Sequence, residues 1–521
     1  MRIGIDVGGT NTDGVLLDDG VVLAKTKSPT TEDITSGIRA VLAELLRARG
    51  ALPEDVTAVM IGTTHFTNAF VHGDGLCPVG VIRLGLPATQ AVPPMADWPD
   101  EVRDRLRTRV FLCHGGVEFD GRPIAGVVEE EIRDAAAQLM ADGIRSIAVS
   151  AVHSPIDPRH ERRVAEILAE AMPEAMVSLS HEVGRVGLLE RENATIVNAA
   201  LRPLAQKVAR GFAAAVADSE LECPVYVSQN DGTLATMEYI ESHPVATFTS
   251  GPTNSMRGAA FLSALTDAII VDIGGTTTDI GVIRGGFPQE SGSEALVGGV
   301  RTNFRLPDVL SLGIGGGSLV RRGAAPTVGP GSVGYRLRDR ALVFGGDTLT
   351  ATDVAVAGSR ADVGERALVG DLGAAEARAI LDHIDHAIAD AADRMRTSAA
   401  PLPVVIVGGG SILLGGSLPG VAEVHRPPHF EVANAVGAAI AQVGGTCERI
   451  LSLARISRDE AIAQVTAAAT EQAVAAGADP DTVQIVDVEE VAMAYLPDAQ
   501  TRFKARAVGT IAPEVAHALH R

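Results

Sequence analysis

Apolar residues recur along this chain in two alternating patterns. Short runs rich in Val, Ile and Ala, such as AVMIG at 58–62 and SIAVSAV at 146–152, predict buried strands. Longer stretches with apolar residues at helical spacing lie between such runs, at 31–49, 128–142 and 188–218. Strands that alternate with helices are typical of an α/β fold with mostly parallel sheets.

One hydrophobic and polar pattern occurs twice. GIDVGGTNTDGVLLDDG occupies 4–20, and VDIGGTTTDIGVIRGG occupies 271–286. Each copy has an apolar strand, a turn with two glycines and a second apolar strand, which predicts a β-hairpin. Six residues of the first copy, Asp6, Gly8, Gly9, Thr10, Thr12 and Asp13, recur in the second as Asp272, Gly274, Gly275, Thr276, Thr278 and Asp279.

The composition of these turns indicates an anion site. Backbone N–H groups and hydroxyls can converge on one anion in a turn rich in Gly and Thr. Each incoming strand ends with an aspartate, Asp6 or Asp272. A carboxylate beside a bound anion is expected only if a cation lies between the carboxylate and the anion. The pattern therefore favours a metal-bound polyphosphate. One copy alone could be ordinary tight-turn chemistry, but its repetition argues against that alternative.

The repeat resembles that of the actin-like ATPase superfold, in which two similar α/β domains each contribute one hairpin to an ATP between them. The predicted fold is therefore α/β, with two actin-like ATPase (ribonuclease H-like) domains that face an ATP cleft. We place the first half at 1–195, with a loop-dominated insertion near 86–125 that is rich in Pro, Asp and Arg. The second half is placed at 196–445, and a small α+β C-terminal domain at 446–521.

Composition and charge narrow the choice of partners. The 521 residues are 46% hydrophobic and 21% charged, with a formal net charge of −21. This charge opposes binding to nucleic acid or to an anionic membrane, because phosphate contacts need clustered Lys and Arg. None of the four lysines (Lys25, Lys27, Lys207 and Lys504) lies in a glycine-rich loop, so a Walker-type phosphate lysine is absent.

The cysteines and the N-terminus predict a cytoplasmic protein. Cys77, Cys113, Cys223 and Cys447 have no CxxC spacing, so neither a zinc ribbon nor a disulfide framework is expected. The chain enters a strand at Ile3 without the features of a signal peptide. It also lacks an uncharged apolar run of about 18 residues, so no membrane span is expected.

Further polar clusters are candidates for the cleft. In GTTHFTNAF (62–70), Thr63, Thr64, His65, Thr67 and Asn68 surround a strand-to-helix junction, although N-capping explains one or two of them. In 188–218, Glu190 begins a charged segment that is more typical of a solvated face, whereas Asn198 lies on an apolar face and predicts a buried or cleft-facing amide. For His114, His153 and His160, structural roles are favoured over catalytic ones.

The order of the motifs resembles the hydantoinase/5-oxoprolinase family, and specifically its ATP-binding A-type subunit. The similarity covers residues 1 to about 445. One segment, 253–255, reads Thr-Asn-Ser where the family has Ala followed by Gly-rich residues. The matching motifs are DVGGTNTD, GTTHFTNA, HSPIDPRHE, SHEVGRVGLLERENATIVNAAL, SQNDGTLA, SGPTNSMRGAA, DIGGTTTD, GIGGGS, VGPGSVG, TATD and VGGGS.

The resemblance implies ATP-dependent opening of a cyclic amide, such as a hydantoin, an oxoproline or a lactam, by phosphorylation of the amide oxygen. It also implies a B-type partner subunit, and thus a hetero-oligomer. The alternatives are a small-molecule or sugar kinase, an ATP-dependent carboxylase subunit, and a nucleotide-gated binding module.

The hypothetical roles follow from the hairpins. Asp6 and Asp272 are assigned to Mg²⁺, and Asp13 and Asp279 to orienting the turns or an attacking group. The predicted phosphate contacts are Gly8, Gly9, Thr10, Asn11, Thr12, Gly274, Gly275, Thr276, Thr277 and Thr278. The predicted nucleoside contacts are Gly315, Gly316, Gly317, Gly408, Gly409 and Gly410. The predicted acceptor pocket consists of His65, Thr67, Asn68, Glu190 and Asn198, with His65 and Glu190 as catalytic candidates.

Overall fold

The structure is a computed structural model that describes residues 1–8, 11–29, 34–49, 52–291, 295–304, 306–323, 326–396, 400–493 and 499–512. Within these ranges, no helix has both the length and the apolar character that crossing a bilayer requires. The predicted phosphate contacts Gly9 and Thr10 lie outside the described residues. So does the predicted start of the first helix at 31–33.

In the described part of the chain, the strands form three sheets and two small two-stranded ribbons. In chain order they are β1 Arg2–Val7, β2 Asn11–Asp18, β3 Val21–Pro29, β4 Ala58–Thr63, β5 Val79–Leu86, β6 Thr108–His114, β7 Ser146–Ala151, β8 Met176–Leu179, β9 Val225–Ser228, β10 Thr233–Thr236, β11 Ala268–Ile273, β12 Thr278–Arg284, β13 Phe287–Pro288, β14 Ala295–Val297, β15 Val300–Thr302, β16 Val309–Leu312, β17 Ser318–Arg321, β18 Thr327–Ser332, β19 Val404–Val407, β20 Val424–His425, β21 Gln442–Ser452, β22 Gln484–Ala492 and β23 Gln500–Gly509.

The helices cover the faces of these sheets. In chain order they are α1 Ile34–Arg49, α2 His65–His72, α3 Asp100–Leu106, α4 Glu129–Ala141, α5 Arg159–Ala171, α6 Ser180–Val183, α7 Leu188–Ala217, α8 Met237–Ser242, α9 Ser250–Ser263, α10 Leu337–Arg340, α11 Ala351–Ala357, α12 Ala374–Arg394, α13 Ala433–Ala439 and α14 Arg458–Ala475.

The first sheet has nine strands in the order β22-β23-β21-β10-β9-β4-β1-β2-β3. β1 and β2 form the predicted antiparallel hairpin, with Asp6 opposite Asp13. β4 runs parallel to β1 on its other side and places Gly62 beside Asp6. The polar end of β1 therefore lies between an antiparallel and a parallel neighbour.

The second sheet repeats this arrangement. β11 and β12 form an antiparallel hairpin with Asp272 opposite Asp279, and β19 runs parallel to β11. β16 pairs with the outer side of β12, and β20 pairs with β19. The two predicted hairpins are confirmed, as is an α/β fold with a pair of similar sheets.

Two helices, α9 and α13, join the sheets. α13 packs on β1, β2 and β4, whereas α9 packs on β11, β12 and β19, and the two helices contact each other. Their backbones approach closely at two glycines. A Cβ atom at Gly258 would lie 1.8 Å from the Ala433 carbonyl oxygen, and one at Gly437 would lie 1.8 Å from that of Asn254. Side chains at these positions would force the helices, and the lobes that they carry, apart.

A third sheet, with the order β6-β5-β7-β8, is parallel throughout. The predicted insertion at 86–125 lies mostly outside helices and strands, as expected, but it also contains α3 and β6, and β6 pairs with β5. β6 was missed because it is an edge strand in which Cys113 is the only buried residue, so its hydrophobic alternation is weak.

The sheets do not follow the predicted boundaries at 195 and 445. β9 and β10, from the predicted second half, belong to the first sheet, and so do β21, β22 and β23 from the C-terminal region. β21 joins the sheet through parallel pairs to β10, Thr233 with Gln442 and Leu234 with Val443. Pairing between strands so distant in the chain leaves no local sequence signal, and the division into three domains stays a prediction.

The charged segment at the start of α7 is buried, which corrects its interpretation as a solvated face. Arg191 and Glu192 are 0% and 1% exposed. Glu192 accepts hydrogen bonds from Arg83 Nε at 2.8 Å and Ser150 Oγ at 2.6 Å. Arg191 donates to Ser180 Oγ at 2.9 Å. Glu192 therefore links α7 to β5 and β7 of the third sheet through buried polar contacts.

The three histidines in doubt have structural partners, as favoured from the sequence. His114 Nδ1 lies 2.7 Å from Glu131 Oε1. His160 Nδ1 accepts a hydrogen bond of 2.9 Å from the Gly116 backbone N–H. His153 Nδ1 lies 3.0 Å from the Val117 carbonyl oxygen.

Candidate functional site

The first hairpin presents two carboxylates to a single amide. Asn434 Nδ2, at the start of α13, donates to Asp6 Oδ2 at 2.9 Å and to Asp13 Oδ2 at 3.1 Å. Lys27 Nζ lies 2.5 Å from Asp13 Oδ1. Both carboxylates are 4% exposed, and Asp6 Oδ1 has no hydrogen-bond partner among the residues that the structure describes. Within these residues, one oxygen of Asp6 is therefore held by the protein, while the other is buried without a partner.

The second hairpin repeats the pair of carboxylates with different partners. Ser255, in α9, donates a hydrogen bond to Asp272. Ser311 Oγ, in β16, donates to Asp279 Oδ1 at 2.5 Å. Each inner aspartate is thus held by one of the two helices that join the sheets. A movement of α9 against α13 would change the separation of the two carboxylates.

The turns of the two hairpins close in the same way. Gly8 N–H donates to the Asn11 carbonyl oxygen at 3.0 Å, and Gly274 N–H donates to that of Thr277 at 2.9 Å. The repeated residues therefore repeat a backbone geometry as well as a sequence. In the second turn, Thr276 and Thr277 are exposed, so their hydroxyls are accessible to an anion.

A glycine lies against each inner aspartate. A Cβ atom at Gly62 would lie 2.6 Å from Asp6 Oδ1 and 2.5 Å from Asn254 Nδ2. A Cβ atom at Gly408, where φ is +87°, would lie 2.2 Å from Asp272 Oδ1. Any other residue at these positions would displace the carboxylate, since the neighbouring strand leaves no room for a side chain.

The predicted nucleoside loops contact the second hairpin. Gly316 and Gly317 donate backbone hydrogen bonds of 3.0 and 2.7 Å to the carbonyl oxygens of Gly274 and Gly275. Thr278 Oγ1 donates to the Ile314 carbonyl oxygen at 2.6 Å. The 315–317 turn therefore braces the hairpin from one side, and its assignment to the nucleoside stays a prediction.

Burial and mutual repulsion shift the carboxyl groups of the cleft. Burial, together with the charge of Asp13 and then that of Asp272, raises the pKa of Asp6 to about 7. Burial and the charge of Asp279 raise the pKa of Asp272 to about 6, against the hydrogen bond from Ser255. Burial likewise raises the pKa of both Asp13 and Asp279. The four groups gather negative charge in a space from which water is partly excluded, which favours a cation.

The residues of the cleft fit a hydrated Mg²⁺. Among the described residues, no three His, Cys, Asp or Glu side chains are preassembled as a metal site. Mg²⁺ does not need such a cage, because it keeps several waters and binds through one or two carboxylates and substrate phosphates. The unpartnered Oδ1 of Asp6, with the carboxylate of Asp272 from the other hairpin, is a donor set of this kind.

Three helix residues near these carboxylates, Asn434, Asn254 and Ser255, were not among the predicted site residues. Asn434 lies at the start of α13, in a segment rich in small residues. Asn254 and Ser255 fall where the chain departs from the family pattern, and that departure is the signal that could have indicated them. The Asn254 amide is 0% exposed, and within the described ranges neither its nitrogen nor its oxygen has a hydrogen-bond partner.

The structure does not assemble the predicted acceptor pocket from all five residues. Burial lowers the pKa of His65, and the nearby charge of Lys207 lowers it further. Glu190 is on the same helix as Lys207 but 17 residues earlier, which is about 25 Å at 1.5 Å per residue. Asn198 is 0% exposed and donates to Ser178 Oγ at 3.0 Å.

The α2 candidates nearest the hairpins have different surroundings. Thr67 Oγ1 is buried without a hydrogen-bond partner, whereas Asn68 is exposed. His65 N–H donates to Thr63 Oγ1 at 3.1 Å at the end of β4, one residue after Gly62. α2 therefore starts beside the strand that flanks Asp6, so His65 and Thr67 remain the acceptor candidates that the fold favours.

The chain is similar in sequence to several characterised proteins. Caprolactamase subunit alpha of Pseudomonas jessenii is 28% identical over 486 residues, which cover 86% of this chain and 67% of that protein. The acetophenone carboxylase gamma subunit of Aromatoleum aromaticum is 26% identical over 68% of this chain and 52% of its own length. The 5-oxoprolinase of Saccharomyces cerevisiae is 26% identical over 68% of this chain, but only 31% of its own length is covered. The chain thus spans between 31% and 67% of the length of these relatives.

Solved structures show the same fold. The ATP-dependent caprolactamase from Pseudomonas jessenii matches with a TM-score of 0.77 and 20% identity, over 98% of this chain and 87% of that one. The nucleotide-free acetone carboxylase matches with a TM-score of 0.70 and 20% identity, over 98% and 88% of the two chains. Family models of the hydantoinase/oxoprolinase N-terminal region and of hydantoinase/oxoprolinase match residues 2–172 and 191–361. With more than half of its length covered, the chain belongs to the hydantoinase/oxoprolinase family.

Proposed function

We propose that this chain is the ATP-binding subunit of an enzyme that opens a cyclic amide at the expense of ATP. The observation that carries the proposal is the pair of hairpins, each of which places a buried or partly buried carboxylate within electrostatic reach of the other. The names of the caprolactamase and 5-oxoprolinase relatives support the class of substrate.

The chemistry explains the need for a nucleotide. An unstrained lactam is a poor electrophile, because its nitrogen delocalises charge onto the carbonyl oxygen. ATP supplies a phosphoryl group that makes this oxygen a good leaving group. The residues of this chain bind and orient the reactants. Asp6 and Asp272 would hold Mg²⁺, while Asn434 fixes Asp6 by donating to its second oxygen.

The hairpin turns would hold the phosphates from both sides. Gly8 and Gly274 close equivalent turns, in which backbone N–H groups supply dipoles without a side chain in the way. The raised pKa values of Asp6 and Asp272 support a cation in the cleft, because a counter-ion would offset the burial of two carboxylates. An Mg²⁺ complex of ATP brings that counter-ion with it.

A partner subunit is part of the proposal. Three relatives are named as subunits: caprolactamase subunit alpha, acetophenone carboxylase gamma subunit and acetone carboxylase beta subunit. By this similarity the chain activates the substrate, and a B-type partner completes the hydrolysis. The enzyme is then a hetero-oligomer.

The test is an ATPase assay against a panel of cyclic amides, with and without proteins that co-purify from the native cell. Phosphate release that depends on a lactam, hydantoin or oxoproline supports the proposal. Slow release that no small molecule changes would contradict it and indicate a nucleotide-gated binding module. A stable phosphorylated product would indicate a kinase.

The carboxylase alternative has support of its own, because two relatives are carboxylase subunits. Its signature is different. ATP consumption would then require both bicarbonate and a ketone, and no cyclic amide would stimulate it. The same assay, with acetone or acetophenone plus bicarbonate in the panel, separates the two activities.

A further inference from the structure

The two hairpins differ in the strand that flanks each one. In the first sheet, the row of paired residues that begins at Asp6 continues through Asp13 of β2 to Lys27 of β3. The equivalent row of the second sheet continues through Asp279 of β12 to Ser311 of β16. The internal repeat therefore extends to a third strand, where it has an ammonium in one lobe and a hydroxyl in the other.

The Lys27 ammonium lies beside the first hairpin and acts electrostatically on carboxylates of both hairpins. Its Nζ lies 2.5 Å from Asp13 Oδ1, and its side chain remains 35% exposed. Its positive charge lowers the pKa of Asp6 and of Asp13 in the first hairpin, and that of Asp272 in the second. A charge that acts on carboxylates of both hairpins lies close to the crevice that they share.

Asp13 does not use all the N–H donors of the Lys27 ammonium. A lysine carries three N–H donors. Asp13 is the only ion-pair partner of Lys27 in the part of the chain that the structure describes. The neighbouring lysine of the same strand, Lys25, is instead paired with Glu431. Lys27 thus keeps donors available for a second anion.

We propose that Lys27 contacts the terminal phosphoryl group of the bound nucleotide and shares its ammonium between that group and Asp13. The assignment rests on the proposed function only in requiring that the cleft binds ATP. It makes the lobes unequal. The first lobe supplies a cation to the transferred group, whereas the second supplies a hydroxyl at the equivalent place. Charge that spreads over the phosphoryl oxygens during transfer would be stabilised from the side of the first hairpin.

A contact to the terminal phosphoryl group predicts selectivity between nucleotides. A non-hydrolysable ATP analogue and ADP differ in that group, so binding of each, with Mg²⁺, is measured by calorimetry on the full-length chain. We expect K27M to weaken binding of the triphosphate about 10- to 100-fold, the usual effect of losing a charge-assisted hydrogen bond. Binding of ADP should change less than about twofold.

The controls separate a contact from a structural role. K25M removes the same charge from the same face of β3 and should leave both affinities unchanged. K27R keeps a cation and should retain most of the preference for the triphosphate. K27Q, which can still hydrogen-bond Asp13, should lose that preference and serves if K27M does not fold. If K27M and K27Q weaken the binding of ADP and of the triphosphate equally, or weaken neither, the role of Lys27 is wrong while the proposed function stands. Failure of the unaltered chain to bind any nucleotide would overturn both this inference and the proposed function.

Discussion

Asp272 raises the pKa of Asp6 through the space between two sheets, although the two residues come from separate hairpins far apart in the chain. Each is paired across its hairpin with a second aspartate, Asp13 or Asp279. Each also lies against a glycine: Gly62, in the parallel strand β4, lies beside Asp6, and Gly408, directly after the parallel strand β19, lies beside Asp272. The cleft is therefore built by repetition of one local structure, and its chemistry depends on the two copies facing each other.

The Asp272→Ala variant tests the assignment of the metal. Because a carboxylate from each hairpin is assigned to Mg²⁺, this variant should lose ATP turnover by a factor of about 100 or more while its circular dichroism spectrum stays unchanged. The matched control is Asp267→Asn. Asp267 is exposed, directly precedes β11, the strand that carries Asp272, and forms an ion pair with Arg284. An unchanged ATPase rate in the Asp272 variant would refute the assignment.

Binding of Mg²⁺ and nucleotide should depend on pH. The pKa values of Asp6 and Asp272 are raised to about 7 and about 6, so protons compete with Mg²⁺ below that range. Between about pH 6 and pH 7, we expect the affinity for Mg²⁺-nucleotide to rise about tenfold per pH unit for each proton that binding releases. The affinity should level off by about pH 8. Calorimetry in buffers of different ionisation enthalpy would count the protons. An affinity that is independent of pH would contradict the shared-cation model.

The same shifts determine how the stability of the nucleotide-free chain changes with pH. A carboxyl group whose pKa is raised on folding binds more protons in the folded state than in the unfolded state. Its contribution to the free energy of unfolding is therefore present at about pH 4 and is lost as the pH rises towards about 7. Mg²⁺ should raise the unfolding temperature more at pH 8 than at pH 5.5. Thermal unfolding at the two pH values checks this, and an equal effect of Mg²⁺ at both would contradict it.

The Arg83→Met variant should be destabilised without a direct effect on the nucleotide site. Arg83 and Glu192 form an ion pair in which the two side chains are 0% and 1% exposed. Removal of the arginine leaves a buried carboxylate without its partner, at a cost of about 3–5 kcal/mol. Chemical unfolding would measure the loss. Arg163→Met, which removes a surface arginine bonded to Glu129 and Glu166, should change stability little.

The Gly408→Ala variant should displace Asp272. The added Cβ atom would lie 2.2 Å from Asp272 Oδ1, and the backbone has a φ of +87° that alanine adopts at a cost. We expect weaker Mg²⁺-nucleotide binding and slower turnover, together with a lower unfolding temperature. Gly416→Ala is the matched control, because nothing lies within 4 Å of its added Cβ atom and its φ is not positive. Wild-type nucleotide affinity in the Gly408 variant would contradict the packing argument.

Local signals were sufficient for the elements that form the cleft. The duplicated Asp-Gly-Thr pattern predicted two hairpins, because alternating apolar residues and a glycine turn are properties of neighbouring residues. The long helix at 188–218 was predicted almost to its ends for the same reason. The motifs also carry the resemblance to the hydantoinase/oxoprolinase family, which the family models confirm.

What holds the cleft together was decided by tertiary structure. Asn434 meets Asp6 and Asp13 only because α13 packs across the first sheet, and no pattern of nearby residues encodes that contact. The addition of β21 to the first sheet rests on pairing with β10, and the burial of Arg191 and Glu192 rests on partners in other strands. Neighbouring residues in the chain encode the hairpins, the long helix and the polar groups that they present. Their mutual placement was set by packing and hydrogen bonds between distant segments, whose energies depend on all the surrounding residues at once.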